Sequence, residues 1–466
     1  MKIAFHGAAR TVTGSKHLIT LENGKKLLLD CGLFQGMGRE TDVLNSEFGF
    51  DPVSVNYLVL SHAHIDHCGL IPRLVKQGFT GVIYSTPATK ELGGILLEDS
   101  AQIQRDDTKF INKRRARQSL PPYEPLYDLD DAEKALELFK TVNYDVWTRI
   151  DESIEVMYTD AGHIIGSAAV HLRITEKGET THITFSGDVG RYNDAILRSP
   201  AEFPQADYIL LESTYGNKLH DEVHDTSEAL LQWIQKTCIE KKGKLIIPAF
   251  SVGRTQELLF ALNQLELDNR LPAVPYYVDS PLSKEATAVL KNYPQYFNKK
   301  IRKIMESDKD PFDFTGLNFI KTVDESKNLN NLPQPCVIIS ASGMADAGRV
   351  KHHIMNNIHD ERNTILLVGY CEPHSLGGRL MNGAKEVKIF GEYYHVIAEV
   401  GQMRNMSAHG DYDDLCQFLA CQSPALVKTL FLVHGEYDVQ QDFAERLRRK
   451  GFKDVVIPEM HFETGL

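Results

Sequence analysis

The chain has 466 residues, 42% of them hydrophobic and 24% charged, and a formal charge of −12. That length exceeds what one hydrophobic core usually serves, so two domains, or one with a large insertion, are expected, and the composition excludes a disordered or fibrous protein. The negative balance argues against nucleic acid, because phosphate binding normally leaves a basic footprint. The N-terminus "MKIAFHGAARTVTGS" has no apolar signal region, and no run approaches the ~18 apolar residues of a membrane span. A cytoplasmic protein without membrane association is the expectation. Cysteines at 31, 68, 238, 336, 371, 416 and 421 form no C-x-x-C pair and read as reduced, mostly buried thiols.

Along the chain, short apolar runs alternate with amphipathic stretches, the pattern of a layered α/β architecture. "KKLLLD", "NYLVLS", "IEVMY", "HITFSGD" and "YILLES" each end in a polar residue where a strand reaches its edge, so chemistry is expected at strand ends. Residues 100 to 135, with "KRRARQS" and "PPYEP", read as a surface excursion whose basic run is a solvated helix face, not a nucleic-acid tether. "HDTSEALLQWIQKTCIEKKG" predicts a helix with Asp225 or Thr226 near its N-cap and Gly243 beyond its end. Strand candidates "KLIIPAF", "VPYYVDS", "CVIISAS" and "NTILLVGY" follow, alternating with helical "GRTQELLFALNQLE", "SPLSKEATAVLKNY" and "GRVKHHIMNNI". This alternation predicts a parallel sheet with helices on both faces, in a domain of its own.

The densest chemical signal is "LVLSHAHIDHCGLIP", which places His62, His64, Asp66 and His67 within six positions. Neutral imidazole and carboxylate suit zinc and similar divalent ions. His62 and His64, two apart in extended chain, share a face, while Asp66 and His67 suit a second centre beside the first. Two sites need more donors, and His163 in "DAGHIIGSA", Asp188 in "FSGDVGR" and His434 in "LFLVHGE" each follow a strand candidate. The Asp188 carboxylate is the natural bridge. His171 and His182 lie in strand patterns and His352 and His353 in a helix, so they are left out of the ligand set.

With these motifs the chain resembles the metallo-β-lactamase superfamily, and within it the β-CASP nucleases. The superfamily marks are "DCGLFQG" with Asp30, "SHAHIDHCG", "AGHIIGSAA" and "SGDVGR"; the β-CASP marks are "LLESTYGN" with Glu212, "MSAHGDY" with His409 and "LVHGEYD" with His434. The resemblance implies a four-layer αββα metallo-β-lactamase domain built from residues 1–208 and 396–466, with an α/β β-CASP domain, residues 209–395, inserted and substrate held in the cleft between them. It also implies that His62, His64 and His163 bind one zinc, that Asp66, His67 and His434 bind the other, and that Asp188 bridges. Asp30 is then the carboxylate that orients a ligand, and Glu212 and His409 are paired polar residues beside the metals. Where relatives often read G-Y-Q-x-x-G-T-L-G-R, this chain has "GYCEPHSLGGR", so Cys371, His374 and Ser375 depart from the pattern while Gly378 and Arg379 keep it. The chain ends about thirty residues after His434, which leads one to expect a minimal member without the extra RNA-binding domains of some relatives.

The implied activity is hydrolysis of single-stranded RNA by two Zn2+ ions, with Mn2+ the alternative metal and a homodimer a common assembly among relatives. Asp66 is expected to aim the attacking hydroxide, and His409, oriented by Glu212, to protonate the leaving oxygen. Arg254, Ser342, Arg349 and Arg379 are the expected phosphate contacts, with Lys218, Lys351 and Arg404 near motif segments. The rivals are a DNA-acting nuclease, a small-molecule metallohydrolase of the same superfamily, and a silent RNA-binding scaffold. Silent members lose ligands, and here every expected ligand is present.

Overall fold

The computed structural model describes residues 1–36, 40–220, 226–369, 371–403 and 406–466. The chain forms two compact units, Met1–Leu219 with His409–Leu466, and His220–Ala408.

The first unit contains two seven-stranded sheets. One runs in the order Glu463–Gly465, Lys2–Gly7, Lys16–Thr20, Lys26–Leu29, Tyr57–Val59, Val82–Ser85, Phe139–Thr141. The other runs Val455–Val456, Thr429–Val433, Tyr208–Glu212, Glu179–Phe185, Ala168–Glu176, Ile154–Asp160, Thr148–Arg149. Period-two alternation explains the layering. Leu27, Leu29 and Val59 of the first sheet meet Val170, Leu210, Phe431 and Val433 of the second in the central core. Their strand neighbours Leu28 and Leu58 point the other way, onto the helices Ile71–Lys76 and Leu129–Glu137. On the far side Ile209, Leu211, Leu430 and Leu432 pack against the helices Tyr412–Phe418 and Tyr437–Arg449. The result is the four-layer αββα arrangement. Strands buried on both faces read as unbroken apolar runs, such as "LLL" and "TLFLV".

The second unit holds a six-stranded sheet, ordered Leu317–Phe319, Tyr276–Asp279, Cys336–Ser340, Lys244–Pro248, Thr364–Val368, Glu399–Met403, in which every pairing is parallel. The helix expected at "GRTQELLFALNQLE" spans Arg254–Leu267, and the one at "GRVKHHIMNNI" spans Arg349–Asn357. The helix Thr226–Ile234 runs on into a π-helical turn, Gln235–Glu240. Asp225, the alternative cap, lies outside the described residues, as do Tyr370 and Arg404.

Both junctions fall later in the chain than 209 and 395. Tyr208–Glu212 pairs with Glu179–Phe185 and Thr429–Val433 inside the first unit, and Glu399–Met403 completes the sheet of the second. Residues 100 to 135 are more ordered than the excursion expected there. A 31-residue helix, Pro87–Arg117, fills the first half, and Asp128 caps the helix Leu129–Glu137 with a reciprocal capping box.

Candidate metal centre

The two sheets bring seven donors to one end of the first unit. His62 and His64 follow the strand Tyr57–Val59, and Asp66 and His67 lie on the four-residue helix Ile65–Cys68. His163 follows Ile154–Asp160, Asp188 follows Glu179–Phe185, and His434 follows Thr429–Val433. His62, His64, His163 and Asp188 form one group that could hold an ion, and Asp66, His67 and His434 form another.

Their spacing is that of ligands. His64 Nδ1 stands 3.2 Å from His62 Nε2 and 3.1 Å from His163 Nε2, while Asp188 Oδ2 is 3.4 and 3.5 Å from the same two Nε2 atoms. A tetrahedron with zinc–nitrogen bonds of ~2.05 Å has edges of roughly 3.3 Å. Across the site, His67 Nε2 lies 3.2 Å from His434 Nε2, and Asp66 Oδ2 lies 3.4 Å from the latter. Asp188 Oδ1 faces this second group, 3.2 Å from His67 Nε2 and 3.6 Å from His434 Nδ1. That oxygen is buried and has no hydrogen-bond partner among the described residues. An orphaned carboxylate oxygen between two imidazoles is costly unless a cation meets it, so the donor set fits divalent metal.

The surrounding hydroxyls and Asp30 set the ring tautomers. Asp30, fully buried, accepts from Ser61 N at 2.8 Å, Ser61 Oγ at 2.9 Å and Ser15 Oγ at 3.2 Å, and His67 Nδ1 donates to it at 2.6 Å. His67 Nε2 is therefore the ring nitrogen that faces the centre. Because Ser61 Oγ gives its proton to Asp30, it accepts from His62 Nδ1 at 3.0 Å, which turns the lone pair of His62 Nε2 inward too. Thr214 Oγ1 donates to the His434 carbonyl at 3.2 Å and meets His434 Nδ1 at 3.1 Å, the same device again. Two residues at these strand ends adopt left-handed backbone, Asp30 with φ 57° and His434 with φ 50°. Such conformations cost of order 1–3 kcal/mol each and concentrate at functional sites.

The electrostatics also favour cations. Burial would push the Asp188 carboxyl up, but the His434, His67 and His62 imidazoles outweigh it and hold it well below the usual range. Burial lowers His62 to about 3 and His64 to about 4. His67 moves the other way: burial lowers it, yet Asp188, Asp66 and Asp30 together raise it well above its ordinary value. The carboxylates thus hold positive charge at the second group.

Beside this cluster, His409 Nδ1 donates to Glu212 Oε1 at 3.1 Å and lies 3.9 Å from Asp188 Oδ2. Glu212 is fully buried, and its carboxylate also accepts from Val189 N at 2.7 Å and Thr214 N at 3.2 Å. Burial lowers the His409 imidazole, but Glu212 and Asp188 outweigh this and bring it up to about 9. With Asp188 and His434, His409 makes a third potential ligand group.

A profile of the metallo-beta-lactamase superfamily matches residues 14–247, one of the Beta-Casp domain matches 255–380, and one described as a Zn-dependent metallo-hydrolase RNA specificity domain matches 393–458. The chain belongs to the metallo-beta-lactamase superfamily, in its Beta-Casp branch. It is a metal-dependent hydrolase. A protein named as a ribonuclease in Thermus thermophilus is 35% identical over 94% of this chain and 93% of its own length. An RNase J-like protein of Methanocaldococcus jannaschii is 32% identical over 95% and 94%. A transcription termination factor, FttA, of Methanosarcina mazei is 30% identical over 97% of this chain and 69% of its own length.

The four expected phosphate contacts of this superfamily member all lie in the second unit. Arg254 is buried and paired with Glu257. Arg349 Nη1 donates to Asp279 Oδ1 at 2.6 Å and its Nη2 to Lys321 O at 3.3 Å. Ser342 Oγ reaches Ala347 O at 3.4 Å, and Arg379 Nε reaches Ser375 O at 3.4 Å. Each thus has an internal partner. Ser375, one of the departures, caps the helix Leu376–Met381 by accepting from Gly378 N at 2.9 Å, and Cys371 is buried with its Sγ toward Gly343 O. Among the described residues no helix is long and apolar enough to cross a membrane. Sequence reasoning missed Ser15, Ser61 and Thr214, whose only signal was adjacency to a motif.

Proposed function

We propose that the chain is a ribonuclease that hydrolyses phosphodiester bonds of single-stranded RNA with two zinc ions. His62, His64 and His163 hold one ion, Asp66, His67 and His434 hold the other, and Asp188 bridges. The observation that carries this reading is Asp188, whose two carboxylate oxygens face the two ligand groups separately. The imidazole-rich donor set suits zinc, with manganese the alternative. The ribonuclease names of the relatives supply the substrate class.

When bound, such a metal pair supplies hydroxide at neutral pH and offsets charge developing on the phosphoryl oxygens. Asp66 accepts a hydrogen bond from the nucleophile and directs it in line with the scissile bond. As the new P–O bond forms and the bond to the 3′-oxygen breaks, His409 gives that oxygen a proton, its ring held by Glu212. Asp30 keeps His67 in its ligating tautomer throughout.

The test is cleavage of an end-labelled single-stranded RNA and its DNA counterpart by zinc-loaded protein, beside Asp188→Asn. RNA products that vanish in the variant are expected, and their sizes separate internal cutting from end-wise degradation. Cleavage of DNA alone would make it a DNA nuclease, and cleavage of neither, with two ions per chain measured, would move the activity to a small-molecule hydrolase. Sedimentation of the same sample tests for a homodimer.

A further inference from the structure

We propose that the outer half of the helix Pro87–Arg117 is a second contact for single-stranded nucleic acid, separate from the metal centre. This deepens the ribonuclease reading and rests on it for the identity of the strand. It also revises the expectation that "KRRARQS" is only a solvated face.

The helix is buried through Ala101 and then leaves the core. Beyond that point its two faces differ. One is tied to the returning chain: Leu126 N donates to Gln104 Oε1 at 3.1 Å, Asn112 and Tyr123 exchange two hydrogen bonds at 2.7 and 2.9 Å, and Arg115 Nε donates to Pro121 O at 2.6 Å. The opposite face carries Ile103, Phe110, Lys113, Arg114 and Arg117, brought together by their spacings of three, four and seven. Phe110 is 75% exposed and Ile103 50%.

Charge identifies the occupant. In a chain of net charge −12, residues 109–117 hold five cations and no acid. Asp106 pairs with Lys109, and Asp107 lies on the exposed face one turn nearer the core. Among the described residues Lys113, Arg114 and Arg117 make no hydrogen bond or ion pair. Cations in the last turn complement the helix dipole, which explains their tolerance there but not a bare phenylalanine among them. An aromatic ring followed on its face by unpaired cations is a unit suited to single-strand recognition, the ring stacking on a base and the cations meeting the phosphates on one side of it.

The geometry sets a length requirement. A Cβ placed on Gly93 of this helix would stand 3.9 Å from Ala63 Cβ, so the helix passes close to the chain at Ala63, which lies in sequence between His62 and His64. At ~1.5 Å per residue, Phe110 and Arg117 lie about 25 and 36 Å along the axis from Gly93. A stacked strand at ~3.4 Å per nucleotide needs roughly 7 to 11 nucleotides to span that. A 20-mer can therefore engage both places and a 6-mer only one.

The experiment compares zinc-loaded protein with the triple variant Lys113→Glu, Arg114→Glu, Arg117→Glu and with Phe110→Ala, using labelled RNA 6-mers and 20-mers. Affinity is read by anisotropy in an Asp188→Asn background, and KM and kcat in the otherwise intact protein. The triple variant should bind the 20-mer about 10- to 100-fold more weakly, with a shallower salt dependence, and Phe110→Ala about 5- to 50-fold more weakly. Both should treat the 6-mer as the parent does, with kcat unchanged. Equal affinities for the 20-mer would overturn the proposal whatever the cleavage assay shows. Weakened binding in a protein that cuts no RNA would leave it standing while the ribonuclease reading falls. Tighter, tip-dependent binding of polyglutamate than of RNA would overturn it in favour of an acidic polypeptide. These side chains are solvent-exposed, so circular dichroism of the variants should match the parent.

Discussion

His67 Nδ1 donates to Asp30 Oδ2 at 2.6 Å, a short hydrogen bond between an almost fully buried ring and a fully buried carboxylate. Asp30 touches no ion in the proposed arrangement, yet it fixes which nitrogen of His67 is available. Asp30→Asn would oppose that tautomer and disturb the contacts of Ser61 and Ser15. Metal affinity at the second group should fall about 10- to 100-fold, measured by competition with a chelating dye. The three-histidine group should lose less.

His409 is held charged by Glu212 and Asp188, up to about 9. A general acid works in its protonated form, so its contribution is complete below that value and declines tenfold per pH unit above it. The kcat profile should therefore fall on the alkaline side, near pH 9. His409→Ala should lower turnover about 100- to 10,000-fold, keep both ions and lose the alkaline limb. An unchanged limb in that variant would assign it to another group.

Lys16 is fully buried, with Nζ donating to Gly32 O at 3.1 Å and lying 4.2 Å from the centre of the Phe34 ring. Burial lowers its ammonium from an ordinary 10.5 to about 8. Between those values the unfolded chain binds the proton and the folded one does not, so this group makes stability rise with pH across the window. Below about pH 8 the folded protein carries the full penalty. Lys16→Met should stabilise the first unit by about 1–3 kcal/mol at pH 7, read by urea unfolding, and the gain should shrink toward pH 10.

Arg349 does not offer phosphate a free guanidinium, because that group is committed to the fully buried Asp279, which also accepts from His353 Nε2 at 2.7 Å and from Ser326. Asp279→Ala should destabilise the second unit by about 3–5 kcal/mol, because it strands a buried partner set. Arg349→Ala should cost about 2 kcal/mol. Thermal unfolding of each variant, with RNA affinity measured on the same sample, separates a fold role from a substrate contact.

The strand-end donors could be read as candidates because a metal site needs particular side chains at close spacing, and "SHAHIDH" satisfies that within one loop. His163, Asp188 and His434 could be found as polar residues ending apolar runs, since strands of one sheet end together. The parallel sheet of the second unit followed from the same alternation. The phosphate contacts were less legible, because an arginine near a motif reads the same whether it faces solvent or, like Arg254, lies buried against Glu257.

By itself, then, the sequence determined the layered α/β class, the family and a set of candidate donors, since periodicity and local spacing are properties of neighbouring residues. Only the tertiary structure decided how those donors are tuned. Ser61 and Asp30 are thirty-one positions apart, and Thr214 and His434 are 220 apart. Each pair sits at the ends of two parallel strands that become neighbours only when their sheet assembles from distant parts of the chain. It also decided that Phe110 stands among unpaired cations, because a helical run does not reveal which of its faces the returning chain will cover.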